Sequence, residues 1–195
     1  MKSKLQCTLI PWEDFYHLAR KVSRDILDSG YSVDIIIAIG RGGYIPGRIL
    51  SDLLGIKNLT SFKIEHYRDT RKFQSAVVKY PLAADIREKN ILLVDDVSDS
   101  GDTFEAAIEH LHECGPAREV RTVVIHHKTT SRITPDYYAG KITEWHWMVY
   151  PWAVNEDLSS MIRSMKLMPK GLVQIRRQLK NDHGLEVSTR QIKDA

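Results

Sequence analysis

The run Ile91-Leu-Leu-Val-Asp-Asp-Val-Ser-Asp-Ser-Gly-Asp-Thr103 constrains the fold more than any other part of the chain, because it joins an apolar strand to two acids and then to a helix start carrying glycine. Ile91 to Val94 is too short for a helix and is fed by the polar turn Arg87-Glu-Lys-Asn90, so it reads as a strand buried on both faces. Asp95 and Asp96 therefore emerge at its carboxyl end. Ligands sit at that end in open α/β sheets, where adjacent carboxylates can accept hydrogen bonds from paired hydroxyls or hold a hard cation. Ser98 to Thr103 then opens a helix whose first backbone N–H groups have no helical partner and favour an anion.

A second element, Asp34-Ile-Ile-Ile-Ala-Ile-Gly-Arg-Gly-Gly-Tyr-Ile-Pro-Gly47, repeats this plan, running from an apolar strand through glycines into a helix that starts near Tyr44. Gly42 to Gly47 has Walker A glycine spacing, but Arg48 and Ile49 stand where Lys and Ser/Thr would have to reach phosphate and metal. A dinucleotide fingerprint fails as well, because Ile45 occupies the third glycine position. Around these two elements the pattern alternates. A strand from Gln6 to Ile10 precedes an amphipathic helix ending at Gly30. Strands follow at 34–39, 59–66, 76–80, 91–94 and 119–127, with helices running to Leu54 and from the acidic motif to Cys114. Strand-helix alternation implies a mostly parallel, doubly wound α/β sheet with right-handed crossovers.

The thirteen-residue run resembles the PRPP-binding signature of the type I phosphoribosyltransferases: four apolar residues, two acids, two small or apolar residues, then Asp-Ser/Thr-Gly-x-Thr. The resemblance implies the type I phosphoribosyltransferase fold with a small hood subdomain, built here from the N-terminal strand and residues 140–157. It implies that Asp95 and Asp96 engage the ribose hydroxyls and Mg²⁺, with Asp96 nearest the metal. The PRPP-binding set becomes Asp95, Asp96, Ser98, Asp99, Ser100, Gly101, Asp102 and Thr103, the loop gripping the 5-phosphate. Asp99 becomes the catalytic candidate, hydrogen-bonding N7 of a purine or shuttling its proton. Gly40-Arg-Gly-Gly43 resembles the family's pyrophosphate loop, which often contains a cis peptide outside proline; Arg41, Gly42 and Gly43 would hold the leaving pyrophosphate.

Two further segments carry the resemblance toward the xanthine-guanine (6-oxopurine) enzymes. Lys128 follows the strand ending His126-His127, and nineteen residues on stands Trp147 in Trp145-His-Trp-Met-Val-Tyr-Pro-Trp152. In that subfamily a Lys donates to the purine 6-oxo group and a Trp stacks on the ring, so the base-binding residues are expected to be Lys128, Trp147 and Met148. Trp145 and Trp152 are as compatible with core or interface packing as with a site. The polar segment 67–75 matches the position of the family's lid, with Tyr67 and Arg68 at its base; a closed lid would exclude water from an oxocarbenium-like centre. The family often has Ser-Tyr there, whereas this chain has His66-Tyr67.

The implied activity is transfer of 5-phosphoribosyl from PRPP to guanine, xanthine or hypoxanthine, in purine salvage. A PRPP-sensing transcriptional or RNA-binding regulator on the same fold is the alternative, and the tail keeps it open. Residues 158–195 carry eight Lys and Arg against three acids, so the net +3 of the whole chain is entirely local to this segment. Ser188 reads as a helix N-cap there, and a second helix beyond it would be very short. The expected division is therefore a phosphoribosyltransferase domain over 1–157 and a basic helical extension over 158–195, serving as a docking or oligomer contact rather than for nucleic acid. A homo-oligomer, dimer or tetramer, follows from the resemblance. No apolar stretch approaches the roughly 20 residues that span a bilayer, and Met1-Lys-Ser-Lys-Leu5 lacks a signal-peptide core, so a cytoplasmic protein is expected. The two cysteines, Cys7 and Cys114, have no metal-site spacing.

Overall fold

A computed structural model describes residues 5–68, 74–165, 169 and 171–195. It divides into two compact units, Tyr16–Thr143 on one hand and Met1–Phe15 with Glu144–Ala195 on the other. The larger unit is built on a seven-stranded sheet. Its strands are β2 (Ile35–Gly40), β3 (Leu59–Arg68), β4 (Gln74–Tyr80), β5 (Asn90–Val94), β6 (Val97–Ser98), β7 (Glu119–Lys128) and β8 (Tyr137–Ile142). The order is β4-β3-β2-β5-β7-β6, with β8 also pairing β7, and every pairing is parallel except β3 with β4. Continuous apolar runs explain the centre: all six residues of β2 are buried, and so are Ile91 to Val94 of β5, which fits strands covered on both faces.

The helices supply those covers. In α3 (Asp102–Cys114) Phe104, Ala107 and Leu111 pack with Ile35, Ile37, Ile39, Ile91, Leu93, Phe62 and Ile64, the odd-numbered face of β2 and β5. Helix α2 (Tyr44–Leu53) lies against the opposite face, where a Cβ added at Gly47 would sit 3.1 Å from that of Ala38. Helices on both faces make the sheet doubly wound, as the alternation of elements implied. The register Ala38↔Val94 and Val94↔Val123 brings the carboxyl ends of β2 and β5 side by side, while β7 runs on to Lys128 and pairs β6 there. The segments that follow β2, β5 and β6 therefore lie at the carboxyl side of the sheet, with the end of β7.

The smaller unit contains β1 (Cys7–Leu9), paired in parallel with β9 (Trp147–Val149), the start of α1 (Trp12–Asp28), and helices α4 (Val154–Arg163), α5 (Leu172–His183) and α6 (Thr189–Asp194). Its core joins Cys7 and Val149 to Leu158, Met161, Leu179, Leu185, Val187 and Ile192, so residues on both sides of position 157 share one cluster. The spacing Leu179, Leu185, Val187, Ile192 buries one apolar stripe while Arg176, Arg177, Lys180, Arg190 and Lys193 stay exposed. Ser188 does cap α6: its hydroxyl accepts from Gln191 N–H while the Gln191 side chain accepts from Ser188 N–H, a reciprocal capping box. Trp152 packs rather than projecting, stacked on Tyr150 at 4.9 Å and edge-on to Phe15 at 4.8 Å.

Candidate active site

The loop after β2 and the acidic pair after β5 lie against each other. A Cβ at Gly42 would fall 2.7 Å from Asp95 Oδ1 and from Asp96 Oδ1, and one at Gly43 would strike the Val94 carbonyl, so only glycine lets this backbone pass. The peptide Gly40–Arg41 is cis. Asp95 is buried and accepts the backbone N–H of Asp96 at 3.0 Å. Burial, reinforced by the charge of Asp96, holds the Asp95 carboxyl well above the ordinary carboxylate range. Crowded, desolvated carboxylate oxygens of this kind gain from a cation or from hydroxyl donors.

Asp99 stands on the next loop and accepts from Lys128 Nζ at 2.7 Å, while the Thr130 hydroxyl donates to its carbonyl at 3.0 Å. The pair is unevenly exposed: the Lys128 side chain keeps 3% of its surface and that of Asp99 keeps 39%. Gly101, at φ 95°, precedes α3 and offers no side-chain cap of its own; the Asp102 N–H reaches the Ser100 hydroxyl at 3.4 Å, and this helix start is the anion-favouring feature of the loop. The Ser100 hydroxyl donates to Asp102 Oδ2 at 2.9 Å, and Arg132 bonds both Asp102 and Glu105, offsetting the acids beside that helix start. Thr103 Oγ1 meets His66 Nε2 at 3.1 Å, which ties the end of β3 to the first turn of α3. On β7, burial and the Lys128 charge push His126 down to about 4, so its imidazole is neutral at pH 7.

Arg41 to Gly43 thus follow β2, Asp95 and Asp96 follow β5, Asp99 to Gly101 follow β6, Asp102 and Thr103 open α3, and Lys128 ends β7. Ser98 differs from its neighbours. It is buried, and because Ser131 Oγ gives its proton to the Ile133 carbonyl at 2.8 Å, Ser98 donates to Ser131 at 2.7 Å. Its side chain shapes the loop, and contact with a ligand would go through its backbone. In the smaller unit Trp147 begins β9 with 40% of its surface exposed, while Met148 is buried at 7%. The backbone of Tyr67 and Arg68 ends β3 opposite Ser75 and Gln74; their side chains, and residues 69–73 of the expected lid, lie outside the described residues. No group of three or more His, Cys, Asp or Glu that could hold a metal by itself occurs among the described residues.

Sequence reasoning missed Arg132, His66 as a partner of Thr103, and the Lys128–Asp99 pair. Each joins residues at least 27 positions apart, and nothing in local pattern reports such a contact.

Residues 9–157 match the family described as phosphoribosyl transferase domain. The chain is 28% identical over 145 residues to the xanthine-guanine phosphoribosyltransferase of Gluconobacter oxydans, covering 73% of this chain and 82% of that one. It is 30% identical over 118 residues to the enzyme of the same name from Cereibacter sphaeroides, covering 60% and 67%. Among solved structures it resembles a purine phosphoribosyltransferase of Pyrococcus horikoshii, with a TM-score of 0.66 and 31% identity, over 75% of this chain and 93% of that one.

Proposed function

The chain belongs to the phosphoribosyl transferase domain family, and we propose that it transfers 5-phosphoribosyl from PRPP to N9 of a 6-oxopurine, releasing pyrophosphate and a nucleoside 5′-monophosphate. The observation that carries this reading is the convergence of the glycine loop on the acidic pair: Gly42 lies against Asp95 and Asp96, at the same sheet edge as the opening of α3 at Gly101. Those features suit, in turn, a pyrophosphate, a pair of ribose hydroxyls and a 5-phosphate. The xanthine-guanine and purine enzymes it resembles support the choice of acceptor.

Asp95 and Asp96 offer the hard oxygen donors that suit Mg²⁺, which binds through one or two carboxylates and completes its shell with water and substrate phosphates. Bound there, Mg²⁺ would screen charge on the departing pyrophosphate. Asp96 is the metal-side residue. Arg41 and the amides of Gly42 and Gly43 receive the leaving group; Ser100, Gly101, Asp102 and Thr103 fix the 5-phosphate, and Ser98 supports that loop. Asp99 accepts the N7 proton as N9 becomes nucleophilic, and Lys128, already its ion-pair partner, donates to O6. Trp147 stacks on the ring, with Met148 beside it in sequence. Tyr67 and Arg68 begin the lid. Beyond this chemistry the protein supplies position and fixed charge.

We read the protein as a cytoplasmic homo-oligomer; no described helix is long and apolar enough to cross a membrane. The test is calorimetric titration of PRPP in the presence and absence of Mg²⁺, with the Asp95→Asn/Asp96→Asn double variant as control. Mg²⁺-dependent binding lost in the variant supports the assignment. Binding that needs neither Mg²⁺ nor the acids refutes it.

A further inference from the structure

Asp157 has no part in the scheme above, yet its carboxylate meets the side chain to which that scheme gives the purine ring. It sits in the first turn of α4, its own N–H donating to the Ala153 carbonyl at 2.9 Å. Its carboxylate accepts the indole N–H of Trp147. Cys7, directly opposite Trp147 in the β1–β9 register, lies beside the same carboxylate: burial first, and the charge of Asp157 second, push its thiol up to about 11. Leu158, the next residue of α4, packs in one cluster with Cys7 and Val149, which sets this turn of the helix against β1 and β9.

The Trp147 backbone N–H donates to the Gln6 carbonyl at 2.8 Å, and the preceding His146 ring meets the Thr8 hydroxyl at 3.1 Å, so the backbone under the indole is fixed from β1. Trp147 is 40% exposed, and two rotatable bonds set its ring. A hydrogen bond at the indole nitrogen is what can select one plane among its rotamers. Holding a carboxylate half-buried is unfavourable: burial raises the Asp157 pKa, with Glu156 adding to it, and the indole bond acts in the opposite direction. Apolar packing alone would be better served by Leu at this place.

We propose that Asp157 is a positioning residue for purine binding, fixing the indole plane of Trp147 from α4. The proposal rests on the reading of Trp147 as the stacking platform. Asp157 touches no reacting atom in this scheme. Its effect belongs to base affinity, with the chemical step and PRPP binding left intact.

The test compares Asp157→Leu, Asp157→Asn, Trp147→Ala and Trp147→Phe for KM of guanine and hypoxanthine, KM of PRPP, kcat and thermal midpoint. Asp157→Leu should raise KM for both bases about five- to tenfold, the low end of what a lost stacking contact costs. PRPP KM and kcat should stay within about twofold, and Asp157→Asn, which keeps an oxygen acceptor, should return most of the loss. In the Trp147→Phe background, which has no indole N–H, Asp157→Asn and Asp157→Leu should add nothing to base KM. That comparison holds even where Asp157→Leu alone folds poorly. If Trp147→Ala raises base KM while a folded Asp157→Leu leaves it unchanged, or if Asp157→Leu acts equally in the Trp147→Phe background, the positioning role is overturned. If Trp147→Ala itself leaves base KM unchanged, it is the stacking assignment that fails, and the positioning role falls with it.

Discussion

The ion pair between Lys128 and Asp99 should respond asymmetrically to truncation. Its two members are 2.7 Å apart, but the Lys128 side chain is 3% exposed and that of Asp99 39%. Breaking a fully buried pair typically costs about 3 to 5 kcal/mol, because the remaining charge stays desolvated. An exposed pair contributes about 0 to 1 kcal/mol. Asp99→Ala leaves the buried ammonium without this carboxylate, so the expected loss is about 2 to 3 kcal/mol, reduced from the buried limit because water reaches the Asp99 side. Lys128→Met removes the desolvated charge itself and leaves a carboxylate that water can reach, so the loss should be about 1 kcal/mol or less. Urea denaturation of both variants at pH 7.5 and low salt gives the comparison, provided the slopes match the parent. For a chain of 195 residues the difference corresponds to about 2 to 4 °C in Tm per kcal/mol. Equal losses, or a larger loss for Lys128→Met, would refute the burial argument.

Thr103→Val should weaken PRPP binding by about 1 to 3 kcal/mol, measured by calorimetry, since it removes a hydroxyl partner of a charged oxygen; unchanged affinity would rule out that contact. Lys128→Met should lower kcat/KM for 6-oxopurines and shrink their advantage over adenine, whereas Trp147→Ala should weaken every purine similarly by about 1 to 3 kcal/mol. Asp95→Asn should raise Tm at pH 7.5 while abolishing turnover. A raised carboxyl pKa in the folded state means that the fold is favoured below the unfolded value and loses that advantage as pH rises through the folded one. The Asn variant's gain in Tm should therefore shrink as pH falls toward 4, and a gain that is constant with pH would contradict the burial of this charge.

The sheet and the loops at its carboxyl edge were legible because their signals are local. Ile91 to Val94 and Ile35 to Ile39 are uninterrupted apolar runs ending in acids or glycines, and the structure gives β5 and β2 there within a residue. The helix starts at Tyr44 and beyond Gly101 also lie where the sequence put them. β6, β8 and β9 were not legible: they have two, six and three residues, and their identity as strands lies in pairings with β7 and β1 rather than in any periodicity. The tail read as a basic appendage because its charge is obvious, while Leu179, Leu185, Val187 and Ile192 show their purpose only once Cys7 and Val149 are seen in the same cluster. At the candidate site the positions of Asp95, Asp96, Asp99 and Lys128 at or just beyond strand ends followed from the sequence, but the bonds among side chains did not, as His66 with Thr103 and Lys128 with Asp99 illustrate.

The most direct measurement is product formation from PRPP and Mg²⁺ with guanine, hypoxanthine, xanthine, adenine and orotate in parallel, following both the nucleotide and pyrophosphate. The proposed function predicts stoichiometric nucleoside 5′-monophosphate and pyrophosphate from one or more of the three 6-oxopurines, with adenine and orotate far slower and Asp99→Asn strongly impaired in turnover. Binding of PRPP without turnover of any base, or orotate or adenine as the best acceptor, would contradict it.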